Sequence, residues 1–142
     1  RDLAIEATRY IDHFSAKFKE FIELLPAKSK YQPELLLDCS NGIGSKAFKE
    51  FQKIIGEHLK VEIVNDDESP AMLNDCCGAE FVHKDQKFPS KFDPSKHGKA
   101  FKCASFDGDA DRLIYFYEGA EGGIQIIDGD KQFAVIIQYI KQ

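Results

Sequence analysis

The segment Asp107-Gly108-Asp109-Ala110-Asp111-Arg112 places the tightest constraint on what this chain can fold into. It joins two apolar stretches, residues 100–106 and 113–117, that read as β-strands. Three carboxylates at alternate positions, separated by a glycine and an alanine, can turn toward one point without side-chain obstruction. Unpaired they repel, and the apolar strand on each side limits their solvation. A hard divalent cation relieves that conflict, and ligation by oxygen alone favours Mg²⁺ or Ca²⁺ over zinc. Asp107, Asp109 and Asp111 are therefore candidate metal ligands. Three protein ligands underfill an octahedral shell and leave positions for water or a substrate phosphate. Arg112, next in line, suits bidentate contact with phosphate oxygens. The bland alternative is a solvated acidic hairpin, because Asp-Gly is a common turn dipeptide. One Asp-Gly would be read that way; three spaced aspartates and an arginine between apolar strands favour the metal.

Two other motifs compete. Counted from Asp107, the Asp-x-Asp-x-Asp pattern continues to Glu118 much like an EF-hand calcium loop. An EF-hand needs glycine at its sixth position, where this chain has Arg112, and needs flanking helices rather than strands. The second is Gly42-Ile43-Gly44-Ser45-Lys46-Ala47, a G-x-G-x-x-A match between an expected strand and helix, with Asp66 about 22 residues beyond Gly44. It keeps a dinucleotide-binding module open, although glycines that merely permit a sharp turn explain it more simply. Weaker candidates are Asp128 and Asp130, better placed to cap a helix than to extend the acidic surface. His83, Lys84 and Lys87 could touch a phosphorylated ligand or simply be solvated.

Along the chain, residues 3–25 carry apolar side chains at helical spacing, and Pro26 ends the run. Leu35-Leu36-Leu37 reads as a short buried strand. Asn41 to Ser45 form a tight turn, with Ser45 as the expected cap of a helix reaching about Ile55. Residues 61–64 alternate as a strand. Residues 68–100 show turns at Ser69-Pro70, Phe88-Pro89 and Asp93-Pro94, and one short strand is expected near Glu80-Phe81-Val82. Strands over 100–106, 113–117 and 124–127 and a closing helix to about Ile140 complete a mixed sheet with helices packed on it.

At 142 residues the chain fits one domain, long enough to bury about 68–70% of its unfolded surface without disulfides or structural metal. Twelve Phe and five Tyr, with no Trp, describe an aromatic-rich core. A net charge of −5 argues against a nucleic-acid partner, and no apolar run is long enough to span a membrane. Cys39, Cys76, Cys77 and Cys103 lack zinc-ligand spacing and read as reduced thiols, Cys39 and Cys103 buried, which fits a cytoplasmic protein. The opening Arg1-Asp2-Leu3, without initiator Met or leader, suggests a fragment of something longer.

These residues resemble a known family. Asp38 with Asn41-Gly42-Ile43-Gly44, Asn65-Asp66, Leu73-Asn74, Cys77 to Val82, Gln86, Ser105 to Arg112 and Ile127 to Lys131 are similar to the second domain of the α-D-phosphohexomutases. The Leu-Asn…Cys-Gly-Ala stretch and the Ser-Phe before the acidic loop point to the eukaryotic phosphoacetylglucosamine mutases. The resemblance implies a three-layer α/β/α domain with a mixed, mostly parallel sheet, in which residues 1–26 form the helix arriving from a first domain and 27–142 the metal-binding unit. It implies catalytic Mg²⁺ on Asp107, Asp109 and Asp111, with Arg112 at the phosphoryl group in transfer. The implied substrate is a hexosamine phosphate, N-acetylglucosamine 6-phosphate, converted to the 1-phosphate for UDP-sugar synthesis by a phosphoserine on another domain of the same chain. No phosphoserine, sugar or terminal phosphate loop is in this sequence, so this piece alone is expected to be inactive. Glu80 stands where the family usually has Asp, away from the expected metal site.

Overall fold

The computed structural model describes residues 3–26, 29–67, 69–98 and 101–141. A central five-stranded sheet has the order β2-β1-β3-β4-β5. The strands are β1 (Glu34–Asp38), β2 (Lys60–Val64), β3 (Cys103–Phe106), β4 (Leu113–Glu118) and β5 (Ile124–Ile127). β1 pairs in parallel with β2 and β3, and β4 runs antiparallel to both β3 and β5. Only β4 is reversed, so the sheet is mixed with most strands pointing one way, as expected.

Alternation along β1 divides the core. Leu36, Cys103, Ile114 and Phe116 point to one face, where Ala79 and Val82 of α3 (Gly78–Asp85) cover them. Leu37, Cys39 and Ala104 point to the other, packed by Phe48 of α2 (Gly44–Ile55) with Leu35, Ile63 and Phe106. Helices on both faces make the three layers. β1, α2 and β2 form one β-α-β unit, whose helix ends at Gly56, where the positive φ (+56°) suits a residue without Cβ.

Outside α2 lies α1 (Leu3–Glu23), whose Phe14 and Phe18 meet the Phe51 ring at 5.2 and 5.6 Å. Its apolar stripe is only partly used: Ser15 is fully buried, while Tyr10, Phe14 and Phe21 are half or more exposed. The expected boundary at residue 27 and the strand start at residue 100 lie outside the described residues. After β5, Asp128 caps α4 (Gly129–Ile140) by accepting from the Lys131 N–H, and the Gln132 amide donates to the Leu113 and Ile127 carbonyls. Among the described residues, no helix is long and apolar enough to cross a membrane. All four cysteines are free, and burial pushes the Cys39, Cys77 and Cys103 thiols up to about 12, holding them neutral.

Two expectations need correction. The strand expected near Glu80-Phe81-Val82 is part of helix α3. Three adjacent residues cannot separate period 2 from period 3.6, and the packing of Ala79 and Val82 together against Leu36 and Cys103 of the sheet decides the matter. Ser45 does not cap α2: it lies inside the helix, buried, with its hydroxyl directed at the Gly42 carbonyl, and Ile43 takes the cap position without a side-chain bond.

Between α3 and β3, Phe88, Phe92 and Phe101 pack against the core as a set of neighbouring rings. Phe88 and Phe92 stack at 4.1 Å, and buried His97 sits between Phe92 and Phe101. Its Nδ1 accepts from the Asp93 N–H, so Nε2 carries the proton and donates to Glu62 at 3.2 Å. Lys96 binds the same carboxylate at 2.6 Å, and it holds Glu62 below the usual carboxylate range, with His97 adding to the effect.

Phe116, 1% exposed, is the largest fully buried side chain. Phe116→Ala is expected to cost about 3–5 kcal/mol, read from urea unfolding. A carboxyl depressed on folding stabilises above its unfolded value, near 4.5 for Glu62, and that stabilisation is lost as pH falls through the lower folded value. Unfolding free energy should therefore drop on acidification below about pH 4.5, and drop less in Glu62→Gln.

Candidate metal centre

The segments that follow β1 (39–43), β2 (65–67) and β3 (107–112) all emerge at the end of the sheet where those strands finish. From β1 the chain moves outward to β2, then returns to the opposite side of β1 as β3. Between β1 and β3 the order therefore reverses, the place where open α/β sheets bind ligands. The acidic loop stands there.

The Asp107 N–H bonds to the Arg112 carbonyl and the Ala110 N–H to the Asp107 carbonyl, closing a tight turn with Ala110 left-handed (φ +61°). Oxygens of Asp107, Asp109 and Asp111 lie within 4.8 Å of one another; Asp107 is buried, the other two exposed. Three carboxylate oxygens gathered this closely are the donor set that a hard divalent cation takes. The charges of Asp109 and Asp107 push the Asp111 carboxyl up, the repulsion a cation would relieve. Burial also pushes on Asp107, but bonds from the Arg112 side chain and N–H outweigh it and leave Asp107 below the usual range. Arg112 Nε donates to Asp107 Oδ2 at 2.5 Å, with the guanidinium mostly exposed at the mouth of the loop.

The glycines of the second motif have a structural task. A Cβ on Gly42 would collide with the Gly108 carbonyl, and one on Gly44 would sit 2.9 Å from the Phe106 ring. The Ile43 N–H donates to that same Gly108 carbonyl at 3.1 Å. The acidic loop thus fills the face on which a dinucleotide pyrophosphate would lie. The EF-hand reading also fails, since β3 and β4 flank the loop instead of helices.

Other candidates fall elsewhere. Asp128 is a helix cap and Asp130 an exposed residue of the first turn of α4. His83, Lys84 and Lys87 are exposed, and Lys84 pairs with Glu80. Glu80 does not touch the carboxylates, but its charge reaches Arg112 and helps hold it protonated.

Sequence reasoning missed the network under the loop. Asp38, fully buried at the end of β1, accepts from the Ser40 N–H (3.0 Å), Asn65 Nδ2 (2.9 Å), the Gly78 N–H (2.7 Å) and Ser105 Oγ (2.7 Å). Burial pushes its carboxyl up and these four donors pull it back. The signal was present in Leu35-Leu36-Leu37-Asp38, a carboxylate closing an apolar strand and followed by Cys-Ser-Asn. Its partners lie up to 67 residues away, which no local pattern reveals.

Gly42→Ala is expected to cost roughly 1–3 kcal/mol through overpacking. The same variant should shift amide resonances of residues 107–112 in an ¹⁵N–¹H spectrum, because Gly108 must move.

The family described as phosphoacetylglucosamine mutase AMG1, domain II, matches residues 2–114. Phosphoacetylglucosamine mutase 2 of Schizosaccharomyces pombe is 40% identical over 130 residues, covering 90% of this chain and 23% of the relative. The human phosphoacetylglucosamine mutase is 35% identical, covering 94% and 24%. The crystal structure of apo N-acetylglucosamine-phosphate mutase, an α-D-phosphohexomutase, superposes with a TM-score of 0.80 at 31% identity, over 92% of this chain and 28% of that one. The Aspergillus fumigatus N-acetylphosphoglucosamine mutase in complex with GlcNAc-6P and magnesium gives 0.73 at 33% identity, over 85% and 23%. The chain spans about a quarter of the length of the curated relatives it matches, and it belongs to the phosphoacetylglucosamine mutase family as that family's second domain.

Proposed function

We propose that this chain is the Mg²⁺-binding domain of a cytoplasmic enzyme that interconverts N-acetylglucosamine 6-phosphate and N-acetylglucosamine 1-phosphate, feeding UDP-N-acetylglucosamine synthesis. The observation that carries the reading is the convergence of Asp107, Asp109 and Asp111, with Arg112 beside them, at the switch point of the sheet. The A. fumigatus relative with bound GlcNAc-6P and magnesium supports the substrate class and the ion. Residues 1–26 would be the connection from a preceding domain and 27–142 the metal-binding unit. A phosphoserine, carried by another domain of the longer protein, would donate and recover the phosphoryl group.

On this reading the three aspartates hold the ion, which supplies positive charge opposite the phosphoryl oxygens as they gather charge. The chain's own residues supply position. Asp107 grips Arg112 through Nε, which fixes the guanidinium plane and leaves its terminal nitrogens for a phosphate. Arg112 keeps its charge at any physiological pH, reinforced by Asp107. Ala110 in the left-handed conformation turns Asp109 and Asp111 back toward Asp107. Exposure of these two residues keeps the open side of the site accessible to an incoming phosphorylated group.

The test is Mg²⁺-dependent conversion of GlcNAc 6-phosphate by the full-length protein, followed by ³¹P NMR. Asp109→Asn is expected to lower the rate more than about 100-fold, beyond the 10–100-fold typical of changes outside the ligand shell. Arg112→Lys, which keeps the charge but loses the planar fork, should cost kcat while leaving Mg²⁺ activation near wild type. Wild-type protein that turns over GlcNAc 6-phosphate equally well in excess EDTA would sink the reading.

A further inference from the structure

Taking the mutase reading above as given, we propose that Asp38 is a positioning residue for the metal centre: by tying together the three segments that clamp the acidic loop, it sets the spacing of Asp107, Asp109 and Asp111 without touching the ion. Asp38 is 0% exposed and both of its oxygens are engaged by donors, so it has no route to a ligand from solvent. Three of its four donors belong to walls of the site. Ser105 stands two residues before Asp107 on β3 and pairs directly across from Asp38 in the sheet. The Ser40 N–H bond holds the left-handed pair Ser40-Asn41 (φ +61° and +53°), which aims the Ile43 N–H at the Gly108 carbonyl. The Gly78 N–H bond anchors the end of segment 72–78, whose Leu73 and Asn74 side chains stand 3.1 and 3.3 Å from where a Cβ on Gly108 would lie. Cross-links join these walls: the Asn74 N–H donates to the Ser40 carbonyl, Ser40 Oγ donates to Asn74 Oδ1, and Asn41 Nδ2 donates to the Met72 carbonyl. Gly108, between two of the three metal-binding aspartates, is thereby held on two sides by segments that meet at one carboxylate.

A purely structural Asp38 would change stability and leave the metal constant alone; a positioning Asp38 changes the metal constant in folded protein. The experiment uses the full-length protein and three variants. Ser105→Ala removes one donor to Asp38, Asp38→Asn disrupts the whole set, and Val82→Ala weakens the core under α3 without touching the network. Each is assayed below its thermal midpoint for Mn²⁺ dissociation by water-proton relaxation, for Mg²⁺ half-activation, and for KM and kcat on GlcNAc 6-phosphate. Ser105→Ala and Asp38→Asn are expected to raise both metal constants about tenfold or more with the sugar KM unchanged, while Val82→Ala lowers the midpoint and leaves the metal constants at wild type. Folded Ser105→Ala with wild-type Mn²⁺ affinity overturns the assignment, as does an equal loss in Val82→Ala. If Asp38→Asn fails to fold, Ser105→Ala decides. A wild-type protein that neither binds Mn²⁺ nor responds to Mg²⁺ overturns the mutase reading itself, a result distinct from either of these.

Discussion

The buried carboxylate of Asp38 is the interaction on which the functional end of this domain depends. A charge taken fully out of water is expensive, and only dense hydrogen bonding makes it tolerable. Here two backbone N–H groups, a hydroxyl and an amide share that task, each from a different part of the chain. Removing one partner leaves the other three around an under-satisfied carboxylate, so each donor matters to the placement of the rest. The consequence is structural economy. One residue at the end of a strand specifies where the turn after β1, the start of α3 and the end of β3 lie relative to one another.

Close backbone approach is the second constraint. Gly42 and Gly44 are needed because the acidic loop passes directly over the β1–α2 turn, its Gly108 carbonyl resting where a side chain would otherwise be. The same glycines look, in one dimension, like a phosphate-cradling fingerprint. A turn that must admit a pyrophosphate and a turn that must admit another loop's backbone ask for the same residue, because both require the absence of Cβ. Only the arrival of residues 107–111 from sixty positions downstream distinguishes the two cases.

Local elements were legible where their pattern was long or chemically sharp. Helical spacing over residues 3–25, closed by Pro26, defined α1, and a triple leucine defined β1. The segment 78–85 was not legible. Its apolar content is confined to Ala79, Phe81 and Val82, too short a sample to carry a period, and packing against the sheet chooses the helix. Ser45 failed as a cap for a related reason: the helix begins two residues earlier than the serine requires, at Gly44, where a Cβ would meet the Phe106 ring and Ala110.

What the sequence determined by itself was chemistry. Asp107, Asp109, Asp111 and Arg112 lie within six consecutive residues, so their convergence needs nothing beyond a tight turn between two strands, and hard oxygen ligation follows from residue type alone. What only the tertiary structure decided was support. Asp38, Asn65, Gly78 and Ser105 are spread over 67 residues, and nothing in their local surroundings marks them as neighbours. They meet because β1, β2 and β3 run parallel and end together, which places the loops after each strand at one end of the sheet. Ligand identity is a property of side chains and can be read locally; ligand position is a property of the sheet that brings their supports together.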